Sequence, residues 1–187
     1  MVVLSAPSGA GKTTVARHLL GIESLNLSFS ISACSRPRRV NEVDGRDYYF
    51  LSEDEFLEKV RADEFVEWEE VYPGRFYGTL RSEVERIWTL GRHVLFDIDV
   101  KGAMSIKRIY GNLALSVFVM PPSLEILEAR LRSRSTDSTG DIRRRLEKAQ
   151  EELTFAGQFD RVIINDRLEK TLVEAGEAVR QFLEVSV

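Results

Sequence analysis

At 187 residues the chain is long enough to bury a real hydrophobic core, either as one large domain or as a core carrying inserts. Its net charge of −4 argues against a nucleic-acid surface, which usually needs a basic domain overall. A lone cysteine, Cys34, excludes an internal disulfide and fits a reducing compartment, and the longest apolar run, around Leu113 to Met120, is far too short to span a bilayer. The first strand begins at the start of the sequence with no leader visible ahead of it, so a cytoplasmic protein without membrane partners is expected. His18 and His93 are too few for a His-rich metal site, and both read as structural. Of the 26 basic residues 20 are arginines, gathered at Arg36-Arg38-Arg39, Arg130-Arg132-Arg134 and Arg143-Arg144-Arg145. Arginine is favoured where phosphate is held in bidentate geometry, so these clusters suit small phosphorylated ligands, although any one of them alone reads as a solvated face.

In chain order, Val2-Val3-Leu4 is an apolar run that reads as a buried strand. The stretch Ala6-Pro7-Ser8-Gly9-Ala10-Gly11-Lys12-Thr13 follows, and Thr14 to Leu20 reads as a helix stopped by Gly21. Leu27 to Ala33 alternates apolar and polar and is expected as one half-exposed strand. Residues 35–47 read as a loop, Tyr48 to Leu51 as a short strand, and Ser52-Glu53-Asp54-Glu55 as a capping box opening a helix to about Ala62. A strand is expected from Phe65 to Tyr72, a turn at Pro73-Gly74, and a helix over 81–90 stopped by Gly91. His93 to Ile98 and Leu115 to Met120 have the continuous apolar character of strands buried in a parallel sheet. Ser123 caps a helix running into the arginines, a second helix covers roughly 141–156, Arg161 to Ile164 is a strand, and the C-terminus is helical. Together these predict an α/β protein with a parallel core, interrupted by a smaller antiparallel or mixed unit at about 33–80 and an Arg-rich segment at about 130–147.

Strand, glycine-rich turn and helix are the setting a phosphate-binding P-loop needs. Loop N–H groups point at anionic oxygens and the helix N-terminus adds partial positive charge. In that reading Lys12 reaches the β- and γ-phosphates of a nucleoside triphosphate and the Thr13 hydroxyl ligates Mg²⁺. Ala6 stands where the strict pattern has Gly, a small departure that still permits close packing. Asp97 ends a buried strand on the side where open α/β sheets bind ligands, which suits a carboxylate holding Mg²⁺ through water. The plainer alternative for Asp97 is a cap on the next helix, and spacing alone assigns nothing to Asp99.

Ser8-Gly9-Ala10-Gly11-Lys12, the run Ser32 to Glu42, Phe76-Tyr77-Gly78-Thr79, Asp97-Ile98-Asp99, Pro121-Pro122-Ser123 and Ile164-Asn165-Asp166 stand in an order that resembles the guanylate kinase family. Each motif is modest alone, and together they run through nearly the whole chain. The resemblance implies a three-layer α/β/α kinase core at 1–32, 83–129 and 148–187, a GMP-binding region at 33–82 and a helical lid at 130–147. It implies transfer of the γ-phosphoryl group of MgATP to GMP, with dGMP also accepted.

Carried over by position, the resemblance places the GMP phosphate against Arg36, Arg39, Tyr48 and Tyr77, since guanidinium forks and phenols saturate a phosphate dianion. It places the guanine base against Ser32, Glu67, Thr79 and Asp99. One carboxylate accepts both the N1–H and the 2-amino group of guanine, whereas adenine turns a lone pair toward it. A polar mismatch of that kind rejects the wrong ligand by as much as about 10⁴-fold. Without the resemblance Glu67 reads as a solvated acid. Arg130, Arg134 and Arg145 match phosphate-facing lid arginines that join Lys12 in neutralising charge on the transferring group. Residues Ala6 to Thr13, with Thr14, form the ATP site, and Asn165 falls where the family places adenine.

Four departures from the family pattern stand out. Proline comes one position early in Arg36-Pro37-Arg38-Arg39, which leaves Arg38 able to compete for phosphate. Asn41 replaces a glycine that Asn can mimic in left-handed backbone. An extra residue near Pro73-Gly74 is expected to lengthen a hairpin, and Ser135 replaces a lid glycine. Two rival readings are a sugar-phosphate kinase, which would not need a base-reading set, and a non-catalytic binding module, which would typically have lost Gly11, Lys12 and Thr13.

Overall fold

The computed structural model describes residues 1–133 and 139–185. Its strands are β1 (Val2–Ser5), β2 (Leu27–Phe29), β3 (Ala33–Cys34), β4 (Tyr49–Phe50), β5 (Phe65–Tyr72), β6 (Arg75–Leu80), β7 (His93–Asp97), β8 (Leu115–Met120) and β9 (Arg161–Ile164). Its helices are α1 (Lys12–Leu20), α2 (Glu53–Arg61), α3 (Arg81–Thr89), α4 (Val100–Tyr110), α5 (Leu124–Arg132), α6 (Thr139–Leu153) and α7 (Leu168–Val185). The chain divides into two compact units, Met1–Leu27 with Leu95–Val187 and, between them in sequence, Ser28–Val94.

A five-stranded sheet has the order β2-β7-β1-β8-β9, with β2 and β7 straddling the division. β1 pairs in parallel with β7 and β8, and β8 with β9. Parallel neighbours need crossovers through helices, which cover both faces and make the strands apolar throughout. Val2, Leu4, Leu95, Val117, Val119 and Ile163 form one buried cluster with Val15 and Leu19 of α1 and Val179 of α7. Strand alternation sends Val3, Phe96 and Phe118 to the opposite face, and α4 packs against β1 and β8. The result is the expected three-layer α/β/α core. The register, Leu4 beside Asp97, Ser5 beside Phe118 and Met120 beside Ile164, brings the C-terminal ends of four strands to one edge. The P-loop after β1, Asp97 at the end of β7 and Asn165 after β9 lie at that edge.

Residues 28–94 carry a four-stranded sheet of order β4-β3-β6-β5. β3 pairs in parallel with β4 and antiparallel with β6, and β5 and β6 form an antiparallel hairpin, so the unit is mixed. Phe56 of α2 stacks on Phe65 at 4.3 Å and Phe76 at 5.5 Å between ring centres, giving the unit its own core with Ala33 and Leu80. The capping box that opens α2 is complete, with Ser52 Oγ accepting from the Glu55 N–H and Glu55 accepting from the Ser52 N–H. Gly78 is required because a Cβ there would lie 2.6 Å from the Glu67 carbonyl oxygen. Beneath this sheet, buried Glu83 accepts from the Ile31 N–H, the Tyr49 hydroxyl and the Arg86 guanidinium. Burial pushes that carboxyl up, but its four donors outweigh the effect and hold it below its ordinary value.

Two expectations are corrected. Leu27 to Ala33 is two strands in two sheets, because at Ile31 the N–H bonds to Glu83 instead of continuing a ladder. Alternation along a segment cannot reveal a change of sheet. The hairpin turn is not lengthened: Pro73 and Gly74 close it alone, and surplus residues of β5 are absorbed as register shifts at Phe65/Glu67 and Glu70/Tyr72. The sequence implies β6 only as the return arm of that hairpin and says nothing of α4, since Gly78 and Gly102 interrupt their patterns.

Candidate active site

The P-loop is shaped by its glycines. Gly11, at the N-cap of α1, has φ +103°, a conformation that costs other residues a steric penalty. The Ala10 N–H closes the turn onto the Pro7 carbonyl at 3.0 Å, and the Thr14 and Val15 N–H groups bond the Gly11 carbonyl to start the helix. Lys12 Nζ pairs with Asp97 Oδ1 at 2.6 Å and donates to the Ile98 carbonyl at 2.9 Å. The loop lysine is therefore held by the end of β7. Thr13 and Thr14 are exposed on the first turn of α1.

Asp99 is the N-cap of α4, its Oδ1 accepting from the Gly102 N–H at 2.8 Å, so the helix-capping role weighed for Asp97 belongs to Asp99. Arg145 of α6 reaches the loop, donating to Ser8 Oγ at 2.9 Å across 137 residues of sequence. Arg130 of α5 instead donates to the Asn165 carbonyl oxygen at 2.8 Å. The Asn165 side chain lies on the loop itself, with Nδ2 donating to the Ala10 carbonyl at 2.7 Å. Arg134 and Ser135 lie outside the described residues.

In the second unit Arg36 is 7% exposed, and its guanidinium makes a two-bond fork to Glu42, at 2.7 and 2.6 Å. It lies over the Tyr48 ring at 5.0 Å and the Phe50 ring at 5.5 Å. Glu42 also accepts from the Arg39 N–H at 2.9 Å, so one carboxylate ties both ends of the segment that holds the shifted proline. The fork raises the affinity of Arg36 for its proton, and together with the Arg39 N–H it holds the Glu42 carboxyl down at about 2. Arg38 and Arg39 are exposed. Tyr48 meets Tyr77 edge-on at 6.1 Å between ring centres. Tyr77 and Thr79, two apart on β6, share a face. Thr79, fully buried, donates its hydroxyl proton to Glu67 Oε1 at 2.6 Å, and Glu67 pairs with Thr79 across β5 and β6. Ser32 is half-buried and its carbonyl accepts from the Tyr49 N–H.

Two carboxylates were not singled out from the sequence. Glu42 had a signal, as an acid six residues after Arg36 in an arginine-rich loop. Glu152 had none, being one acid among several on α6. Its carboxylate lies 3.8 Å from Lys148 and within the field of Lys12 and Asp99. Burial raises its carboxyl above the ordinary range. Among the described residues no group of three or more His, Cys, Asp or Glu side chains could hold a metal by itself.

The family model for guanylate kinase matches residues 1–182. A curated guanylate kinase from Porphyromonas gingivalis is 50% identical over 183 residues, covering 98% of this chain and 97% of its own. One from Salinibacter ruber is 48% identical over 184 residues, covering 98% and 96%. The crystal structure of guanylate kinase from Anaplasma phagocytophilum matches with a TM-score of 0.75 at 33% identity, over 97% of this chain and 84% of that one.

Proposed function

The chain belongs to the guanylate kinase family, and we propose that it is an ATP:GMP phosphotransferase whose first unit binds MgATP and whose second binds GMP. The products are ADP and GDP, with dGMP as the alternative acceptor. Lys12 carries three N–H donors, and Asp97 and Ile98 hold its ammonium at the mouth of the loop, where it meets the β- and γ-oxygens. Arg145, tethered to Ser8, adds positive charge against the negative charge of the transferring group. Such transfer depends on alignment and charge neutralisation and needs little acid–base chemistry.

The donor set suits Mg²⁺, an ion that keeps several waters and takes phosphate oxygens in place of an all-protein cage. A hydroxyl at Thr13 and a carboxylate at Asp97 are the groups that would hold it, the latter through water. When bound, the ion would neutralise negative charge on the phosphates.

The observation that carries the acceptor assignment is the buried Glu67 carboxylate fixed by Thr79. A carboxylate accepts several bonds, so holding one oxygen orients the group for the paired N1–H and 2-amino donors of guanine. Arg36, lying over the Tyr48 and Phe50 rings and braced by Glu42, is the companion anchor for the phosphate dianion, with Tyr48, Tyr77 and Arg39. No described helix is long and apolar enough to cross a membrane, and the cytoplasm is the proposed compartment. A coupled assay of ADP release over GMP, AMP, CMP and UMP tests the reading. Turnover is expected with GMP and almost none with AMP. Equal turnover on both would overturn the base assignment, and none on any monophosphate would favour a binding module.

A further inference from the structure

Asn165 follows the last residue of β9 and is 6% exposed, yet it is held from three sides. Its N–H donates to the Met120 carbonyl at 2.7 Å and its own carbonyl accepts from Arg130 at 2.8 Å. Its side-chain nitrogen donates to the Ala10 carbonyl at 2.7 Å. A carbonyl can only accept, so chemistry fixes which end of the amide faces the loop. The fit leaves no space, because a Cβ on Gly11 would lie 2.3 Å from that nitrogen.

Ala10 C=O and Gly11 N–H belong to one peptide plane. In a trans peptide they point in opposite directions. Pinning the Ala10 oxygen against Asn165 therefore turns the Gly11 N–H away from it. A loop peptide rotated the other way would offer the phosphates a carbonyl oxygen in place of a donor.

We propose that Asn165 is a positioning residue of the phosphate loop, setting the Ala10–Gly11 peptide so that its N–H is presented to triphosphate oxygens whatever base the nucleotide carries. The proposal rests on the reading of this loop as the triphosphate site. It differs from a base contact in a measurable way. A residue that reads adenine matters only to ligands with a base, whereas one that orients the loop matters equally to a bare triphosphate. Arg130 acts one step further back, holding Asn165 by its carbonyl.

The test is calorimetric binding of MgATP and of magnesium tripolyphosphate to the wild-type protein, Asn165→Ala and Asn165→Leu. Asn165→Leu keeps the volume and loses the donor without adding a charge beside the phosphates, so it serves if the alanine variant does not fold. A cooperative thermal transition with a wild-type far-ultraviolet circular dichroism spectrum reports that each variant is folded. Both variants should lose affinity for ATP and tripolyphosphate by the same factor, about tenfold for one orienting hydrogen bond. ATP affinity falling while tripolyphosphate affinity holds would make Asn165 a base contact and overturn the proposal, as would no change in either. If the wild-type protein bound neither ligand, the triphosphate reading would fall, and the proposal with it.

Discussion

Between Pro7 and Thr14 the first unit presents backbone, its turn closed by main-chain bonds and its one charged side chain, Lys12, held by a strand end. The second unit presents side chains in pairs: Arg36 on Glu42, Thr79 on Glu67, Tyr48 against Tyr77. The difference suits what each is proposed to bind. A triphosphate chain is an array of equivalent oxygens, and successive N–H groups at a helix start match it without regard to sequence beyond the glycines. A purine has unlike edges, and telling guanine from adenine needs an acceptor in a fixed place, which only a buried and braced side chain supplies.

If the two regions are separable in this way, damage to one should spare the other. The largest effect is expected from Lys12→Met. In the role proposed for it, its contact with the phosphates strengthens as charge shifts in the transition state, so kcat should fall about 10²-fold or more. GMP binding measured without ATP should stay near wild type. A loss of GMP affinity matching the loss of rate would erase the distinction.

Glu67→Gln makes the reciprocal cut. One acceptor oxygen becomes a donor facing guanine donors, at a cost on the order of 1.5–3 kcal/mol, so KM for GMP should rise about tenfold or more with ATP binding little changed. Wild-type GMP kinetics in this variant would return Glu67 to the role of a structural acid.

Glu42→Gln sharpens the comparison, because it removes a brace and no proposed substrate contact. The smallest of the three effects is expected, a rise of a few-fold in KM for GMP as the Arg36 fork loses its ionic partner. It also has a signature in stability. The Glu42 carboxyl is held at about 2 in the fold against an ordinary 4.5. A depressed acid stabilises the fold above its unfolded pKa and loses that contribution as pH falls through the folded one. The difference in Tm between wild type and Glu42→Gln should thus be constant at neutral pH, shrink below about 4.5 and vanish near about 2. A difference that persisted in strong acid would assign the effect to packing instead of the ion pair.

What the amino-acid sequence determined is what closes within a few residues. The P-loop between Val2–Ser5 and α1, the capping box at Ser52 and the strand Phe65–Tyr72 all have their partners, or their periodicity, inside the segment that names them. The roles proposed for Arg36 and Glu67 rest on resemblance to a family, since an arginine or an acid in a polar stretch is by itself a solvated charge. Tertiary structure alone decided that Asn165 meets Ala10 across 155 residues, that Arg145 meets Ser8, and that the chain changes sheets where Ile31 meets Glu83. Such contacts leave no local pattern. A buried donor or acceptor must find a partner, and the packing of distant elements, not the neighbouring residues, determines which one is within reach.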